Sequence, residues 1–358
     1  MKQIRLMVVL TFLSLFIFTN AKAYTNAYTG AEAGKREHTN SFDAANIKDL
    51  LISNKFGAVQ IVQTTGNKID VSVEMSAVAK KMVDADILLE HILINETNSG
   101  TKLDIVTNID KDITFDRMFK GLEVTINYKV SVPEGIRVYV LNEKGSVVVD
   151  KYKGYLNIDV KATELKLGIL SGDLVVKQNE GLFTAEELDV LEGDFRDVTF
   201  VVKESANVKL EVHGGDYELK VAEKLYVSSS GGKMNLGDIE VMTGISSGTK
   251  FEVANIGGYL KMDMTTGELN VRNIHTNFTE VDIKSSYTKL GLSFMTGAGY
   301  ELSLKHNKYA KLDIPADFKL TEQPTTEKGT FLKIGFVGDT HLKGKVSLNL
   351  KFGNMFIQ

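Results

Sequence analysis

The chain has no cysteine and no tryptophan. Without cysteine there is no disulfide framework, no thiol nucleophile, no thiolate metal ligand and no lipid attached at a lipobox cysteine. A chain of 358 residues can instead hold itself together by burial and strand pairing. Without tryptophan, and with clean apolar-polar alternations of five to seven residues, it lacks the aromatic girdles and the strands of about 9 to 11 residues that a transmembrane barrel needs. Basic residues are also unclustered. The 42 Lys and Arg are interspersed with 46 Asp and Glu, so the basic stripe of a nucleic-acid binder is missing.

Only one long apolar run exists. Leu6–Phe18 follows Lys2 and Arg5 and is followed by Ala21-Lys22-Ala23. At 13 residues it is short of the roughly 20 that cross a bilayer. Charged start, apolar middle and small-x-small end together predict a secretory signal over residues 1–23, removed to leave a mature chain from Tyr24. Residues 24–40 are polar and small and read as a flexible lead-in.

Strand patterns follow. Ala58–Val62 and Asp70–Met75 flank the turn residues Thr65-Gly66-Asn67. The stretch 79–92 breaks the pattern, because Met82, Ala85, Leu89 and Ile92 recur at helical spacing; it predicts one short helix. Strands resume over 92–94, 102–106 and 122–132, the last stopped by Pro133, which cannot donate to a ladder.

Beyond this point a dipeptide repeats. Gly-Asp occurs at 172, 193, 215 and 237, and the next step lands on Gly258. The second and fourth positions from each glycine are Leu174/Val176, Phe195/Asp197, Tyr217/Leu219, Ile239/Val241 and Leu260/Met262. Between them stand Val175, Arg196, Glu218, Glu240 and Lys261. Alternate strand positions face opposite ways. The pattern therefore predicts stacked coils with an apolar inside, glycine at a corner and charges outside. The expected fold is all-β, a single-stranded parallel β-helix or β-solenoid of 21–22 residues per coil with one short helix. Its expected segments are an N-terminal β-rich part over 41–136, regular coils over 137–314 and C-terminal coils acting as a cap over 315–358.

Several segments also carry a family resemblance. Asn54–Ile61 (NKFGAVQI) is echoed by Leu350–Ile357 (LKFGNMFI), and Ser285–Leu292 and Asn127–Gly135 complete the set. Together with the order of elements, a strand pair, one short helix, a strand ending in Val-Pro-x-Gly and then glycine-punctuated coils, they resemble an exported β-strand-repeat family of Bacteroidota-type bacteria known as "putative adhesin" proteins, a family of unknown function. The resemblance implies a solenoid of parallel coils in the cell envelope and carries over no catalytic residue.

Chemistry is sparse. Asp173, Asp194, Asp216 and Asp238 could form a carboxylate ladder for Ca²⁺, but one Asp per coil supplies too few oxygens, and turn formation explains them. Asp110, Asp112 and Asp116 fail as an EF-hand, because Phe115 replaces the loop glycine and Gly121 replaces the bidentate Glu. Six histidines lack metal spacing. Ser228–Gly232 and Ser246–Gly248 read as polar corners, with neither the nucleophile elbow nor the phosphate loop around them. The sequence thus points to a non-enzymatic exported envelope protein, a scaffold or adhesin-like binding module. It is expected in the periplasm or at the cell surface, with an envelope protein or polysaccharide as partner, and with no cofactor, metal, catalytic residue or nucleic acid. A β-helix polysaccharide lyase or hydrolase is the enzymatic alternative, with Arg196, Glu218, Glu240 and Lys261 stacked in one row; an outer-membrane barrel is the third. The one acid in an otherwise apolar position, Asp197, marks the expected break in the repeat.

Overall fold

The computed structural model describes residues 32–79, 82–110, 123–338, 341 and 344–358. The signal expected over 1–23 lies outside them, as do Asp112, Phe115, Asp116 and Gly121. Among the described residues the fold is all-β with one helix, and the strands join in one mixed sheet.

Elements over the first third follow the sequence patterns closely. They are β1 (Glu32–Asp43), β2 (Asp49–Thr64), β3 (Lys68–Ala79), α1 (Met82–Glu90), β4 (Ile92–Asn98), β5 (Lys102–Ile109) and β6 (Glu123–Pro133). The helix buries Ala85, Leu88 and Leu89. The lead-in expected over 24–40 is corrected from residue 32 onward, where the chain forms β1, antiparallel to β3. Its side chains are mostly polar and exposed, so no apolar alternation announced it. An edge strand dressed with charge, here Lys35, Arg36 and Glu37, resists pairing with other chains.

The remaining strands are β7 (Arg137–Lys153), β8 (Leu156–His213), β9 (Asp216–Ser230), β10 (Lys233–Ser247), β11 (Lys250–Ile274), β12 (Glu280–Phe294), β13 (Gly299–Asn307), β14 (Lys311–Asp313), β15 (Thr321–Gln323), β16 (Thr330–Gly338) and β17 (Gly344–Ile357). From β7 to β12 successive rungs pair in parallel. The first rung is β2, which lies parallel to β7 and carries β5 and β6 on its other side. The last is β17, parallel to β12 and then to β13 and β14. Both ends finish antiparallel, through β3 and β4 at one and β16 at the other.

The register corrects the expected period. Val138 pairs with Leu156, Thr199 with Asp216 and Asp216 with Lys233, so the step between neighbouring rungs is several positions shorter than the coil read from the dipeptide. Only between β11 and β12, where Tyr259 meets Glu280, does the longer step occur. The Gly-Asp dipeptides therefore drift around the rung. Gly172 lies well before Glu180, the corner residue of its rung, Gly215 directly after its corner, and Gly258 far beyond the corner at Gly248.

The repeating corner is conformational rather than a fixed amino acid. Phe56, Lys144, Ala162, Glu180, Asp197, Thr266, Tyr287 and Phe352 all have positive φ, between 48° and 75°, and with Gly214, Gly231 and Gly248 they form one column. They are all the positive-φ non-glycine residues among those described. Such a conformation costs an L-residue roughly 1–2 kcal/mol, and the stacked rungs impose it. Asp197 is thus a corner residue, exposed by its φ of 52°. Asp tolerates this region better than most residues. The NKFG and LKFG echo has the same origin, since Phe56 and Phe352 are the corners of the two terminal rungs.

The residue after the corner is usually glycine for a steric reason. A Cβ at Gly57, Gly145 or Gly353 would lie 2.0, 1.9 or 2.2 Å from a carbonyl oxygen of the adjoining backbone. The corner glycine itself is less constrained, since a Cβ on Gly231 meets nothing within 4 Å whereas one on Gly232 lies 2.6 Å from the Gly215 oxygen. We expect Gly231→Ala to cost about 1–2 kcal/mol, the left-handed penalty alone. Gly232→Ala should cost about 4 kcal/mol or more, because the clash with the Gly215 oxygen adds to the same left-handed penalty. Urea unfolding of the two variants checks this; equal losses would disprove the steric role.

Inward columns are aliphatic and aromatic. One runs Phe183, Phe200, Tyr217, with Phe183 and Phe200 stacked at 4.9 Å and 5°. The buried polar residues are almost all at the corner. Asn54, Asn142, Gln178, Ser229, Ser246 and Ser285 stand two positions before it, and Thr163, Thr249 and Thr288 one after. Asn54 donates to the Ile126 carbonyl, Gln178 to that of Thr163 and Thr249 to that of Gly231, at 2.9 Å each. These side chains satisfy backbone groups that the corner takes out of the ladder.

Candidate functional site

At the C-terminal end the corner column becomes aromatic. A positive φ turns the corner side chain out of the alternation, so residues there project from the surface. Tyr287 and Phe352 on adjacent rungs stack with centroids 4.6 Å apart and planes at 4°. A turn after β13 then adds a third ring, Tyr309, at 5.4 Å and 15° from Phe352. Asn307 fixes that turn, its Oδ1 accepting the N–H groups of Tyr309, Ala310 and Phe352 at 3.1, 3.0 and 3.3 Å. Tyr287 and Tyr309 are 61% and 60% exposed, which makes the stack a surface feature and not core.

Beside Tyr309 lies a depression of about 260 Å³, lined by Lys305, Lys308, Lys328 and Lys351 with Glu327 as its one carboxylate. Lys308 places its Nζ 4.9 Å from the Tyr309 ring centroid. Lys305 pairs with Glu327 at 2.8 Å. The hydrogen bond from Lys305, its charge and that of Lys351 hold the Glu327 carboxyl below the usual carboxylate range. His306 stacks on Phe331 at 5.3 Å and donates from Nδ1 to the Asn307 carbonyl at 3.0 Å, leaving Nε2 buried without a hydrogen-bond partner.

Across the corner a second depression, about 370 Å³, is lined by Lys289, Gly291, Lys311 and Phe356. A third of about 260 Å³ sits over Gly237 and Ala254. A fourth of about 630 Å³ lies at the other end, between Gln63, Glu134 and Lys151. None of these three brings together exposed rings and an excess of one charge.

The sequence candidates are dispersed. Asp216 pairs in register with Thr199 and Lys233, and Asp238 with Val221 and Asn255, so the aspartates form no ladder. Asp238 instead accepts a hydrogen bond from Asn255. The row expected of Arg196, Glu218, Glu240 and Lys261 does not assemble either. Glu218 stands in register with Val201 and Asn235, and Lys261 with Thr243 and Asp282, pairing with the latter at 3.3 Å. Both rows fail because they follow the dipeptide step and not the step of the rungs. Among the described residues, no three His, Asp or Glu side chains converge as metal ligands. None of the aromatic-stack residues was singled out as a site from sequence. The available signal was the aromatic residue before Gly353 and Thr288 in the two segments that carry the family resemblance.

No protein-family model and no curated protein matches the chain. Solved structures do. A putative adhesin from Parabacteroides merdae is similar at 13% identity and a TM-score of 0.38, over 70% of this chain and 92% of that one. A putative lipid binding protein from Parabacteroides distasonis is similar at 11% identity and a TM-score of 0.32, over 72% and 93%. A putative adhesin from Bacteroides fragilis reaches 13% and 0.21, over 90% and 97%. Two of the three carry the name that the sequence resemblance gives, putative adhesin. At such identities and scores they describe likeness only, and the functional reading rests on this chain's own residues. Among those described, no helix is long and apolar enough to cross a membrane.

Proposed function

We propose that the chain is a non-enzymatic binding module of the cell envelope, exported by the signal that ends at Ala23 and built as a parallel β-solenoid. The body of the solenoid is assigned to residues 137–314, with the N-terminal β-rich part and the segment after Pro315 as caps. The observation that carries this reading is the use made of buried polarity. Of the buried polar residues among those described, all but Ser205 occupy the positions flanking the corner. Most of them bond the corner's backbone or one another, as Asn54, Asn142, Gln178 and Thr249 do to carbonyls and Ser229 to Ser246, and the outer faces carry inter-rung ion pairs such as Lys209–Glu192 and Lys203–Glu186. Exposed pairs of this kind contribute about 0–1 kcal/mol each. What remains is a long, regular surface of the sort solenoids use for binding.

Two measurements test the reading. Because the chain has no cysteine, engineered pairs report the winding without background. Lys209 and Tyr226 are register partners on adjacent rungs, so Lys209→Cys/Tyr226→Cys should oxidise to an intramolecular disulfide. Crosslinking of Lys209→Cys with Gly231→Cys instead would restore the longer coil. Incubating residues 24–358 with a panel of acidic and neutral glycans should give binding without new reducing ends or unsaturated products; turnover would make the chain an enzyme.

A further inference from the structure

We propose that the depression beside Tyr309 binds an acidic saccharide, a sugar ring bearing a carboxylate or a sulfate, an inference that rests on reading the chain as a binding module. The charge is the first argument. The whole chain carries a formal −4, yet this depression gathers Lys305, Lys308, Lys328 and Lys351 around the single carboxylate of Glu327. Lys305 is engaged with that carboxylate. Among the described residues Lys308, Lys328 and Lys351 form no ion pair within 4 Å, so three lysines without a carboxylate contact line one small space, Lys308 with its Nζ over the Tyr309 ring. Like charges are held together at a cost, and an anion placed among them removes it.

The aromatic stack is the second argument. A sugar ring offers an apolar C–H face that packs on an aromatic plane while its substituents reach polar groups at the rim. Tyr309 ends the stack, lines the depression and is 60% exposed, so a sugar would pack on its open part beside the Lys308 Nζ that lies over the ring. Asn349 and Thr330 line the same space and supply amide and hydroxyl groups suited to sugar hydroxyls. The volume, about 260 Å³, lies just below the common range for small-molecule pockets. It suits one ring of a longer chain that continues over the open surface.

Single-stranded nucleic acid shares the taste for lysine and aromatics, but the geometry disfavours it. Binders of that class stack successive bases along a basic groove. Here the rings already lie face to face at 4.6 and 5.4 Å, leaving no slot between them. The adjoining surface carries Glu268 and Asp313, so no basic track continues.

The test uses residues 24–358 in isothermal titration against tetragalacturonate, a chondroitin sulfate tetrasaccharide, a heparin tetrasaccharide, neutral cellotetraose and the oligonucleotide dT8. At least one acidic tetrasaccharide should bind about tenfold or more tighter than cellotetraose, and should lose about tenfold in Lys308→Glu/Lys328→Glu. Tyr309→Ala should weaken it by about fivefold, in line with a single ring contact. The charge-matched control Lys177→Glu/Lys224→Glu should leave binding unchanged, and all variants should keep the parent's thermal midpoint. Binding that survives the Lys308/Lys328 double variant would overturn this site while leaving the chain a binding module. Binding of dT8 as tight as that of the acidic sugars would replace a saccharide site by a general polyanion surface. Retention of none of the acidic tetrasaccharides would overturn the inference outright.

Discussion

Deleting residues 316–358 is expected to make the chain aggregate while most of its β-structure survives. The segment contains β17, which lies directly against β12 although β13 to β16 intervene in sequence, with Glu280 opposite Lys345. Val346, Leu348, Leu350, Met355 and Ile357 on it are all buried, and they extend the inward columns that contain Val281, Ile283, Leu290 and Leu292. Each such side chain contributes about 1.5–3 kcal/mol on burial. Without β17 these columns end in water. The whole flank of β12 then presents unpaired N–H and C=O groups, a template for pairing with another molecule. In a stacked repeat each rung is stabilised chiefly by its neighbours, so loss of the last one should fray β12 and spare β7 to β10. Size-exclusion chromatography with light scattering, beside far-ultraviolet circular dichroism, would compare residues 24–315 with 24–358. Large assemblies with retained strand signal are expected. A soluble, monomeric truncation would show that β17 is no cap.

The type of most N-terminal elements and the inside-outside alternation are legible in the sequence, because both are local. Leu174, Phe195, Tyr217, Ile239 and Leu260 are buried as the alternation requires. The period is not legible in the same way, because the corner is a backbone conformation occupied by Phe, Lys, Ala, Glu, Asp, Thr and Tyr as well as Gly. No identity repeats there, whereas the Gly-Asp dipeptides fall at different places on successive rungs, at 193 and 237 inside strands and at 215 beside the corner, so the turn role read for them from the sequence does not hold. A trace does exist in Gly214-Gly215, Gly231-Gly232 and Gly248-Thr249, which recur at the true step of the rungs. The aromatic stack is hidden for a different reason. It joins residues 287, 309 and 352, brought together only because β17 inserts between β12 and β13. Such a crossover leaves no periodic mark.

Alkaline pH should destabilise the fold steeply from pH 10 upward. Tyr128, Tyr152, Tyr217 and Tyr300 are buried within the core. Burial pushes the phenol of Tyr128 up to about 12, even though the hydrogen bond with Thr107 at 2.6 Å opposes the shift. Burial raises the other three as well, and for Tyr217 the charges of Asp197, Asp194 and Asp216 add to it. The folded state thus keeps these phenols neutral where the unfolded chain, titrating near pH 10, has released the proton. Their contribution to stability is complete below pH 10 and is lost as pH rises through the folded values. Each such group weakens the fold by about 1.4 kcal/mol per pH unit in that window, and four together by about 5.5. That is comparable to the whole stability of many domains, about 5–15 kcal/mol. Urea unfolding at pH 9, 10 and 11, followed with tyrosinate absorbance at 295 nm, measures it. Tyr217→Phe should reduce the slope by about a quarter and cost little at pH 8, since the hydroxyl it removes is buried without a hydrogen-bond partner. A stability that is flat between pH 9 and 11 would mean that these hydroxyls reach solvent in the folded chain, and that the rungs are less tightly stacked than the register implies.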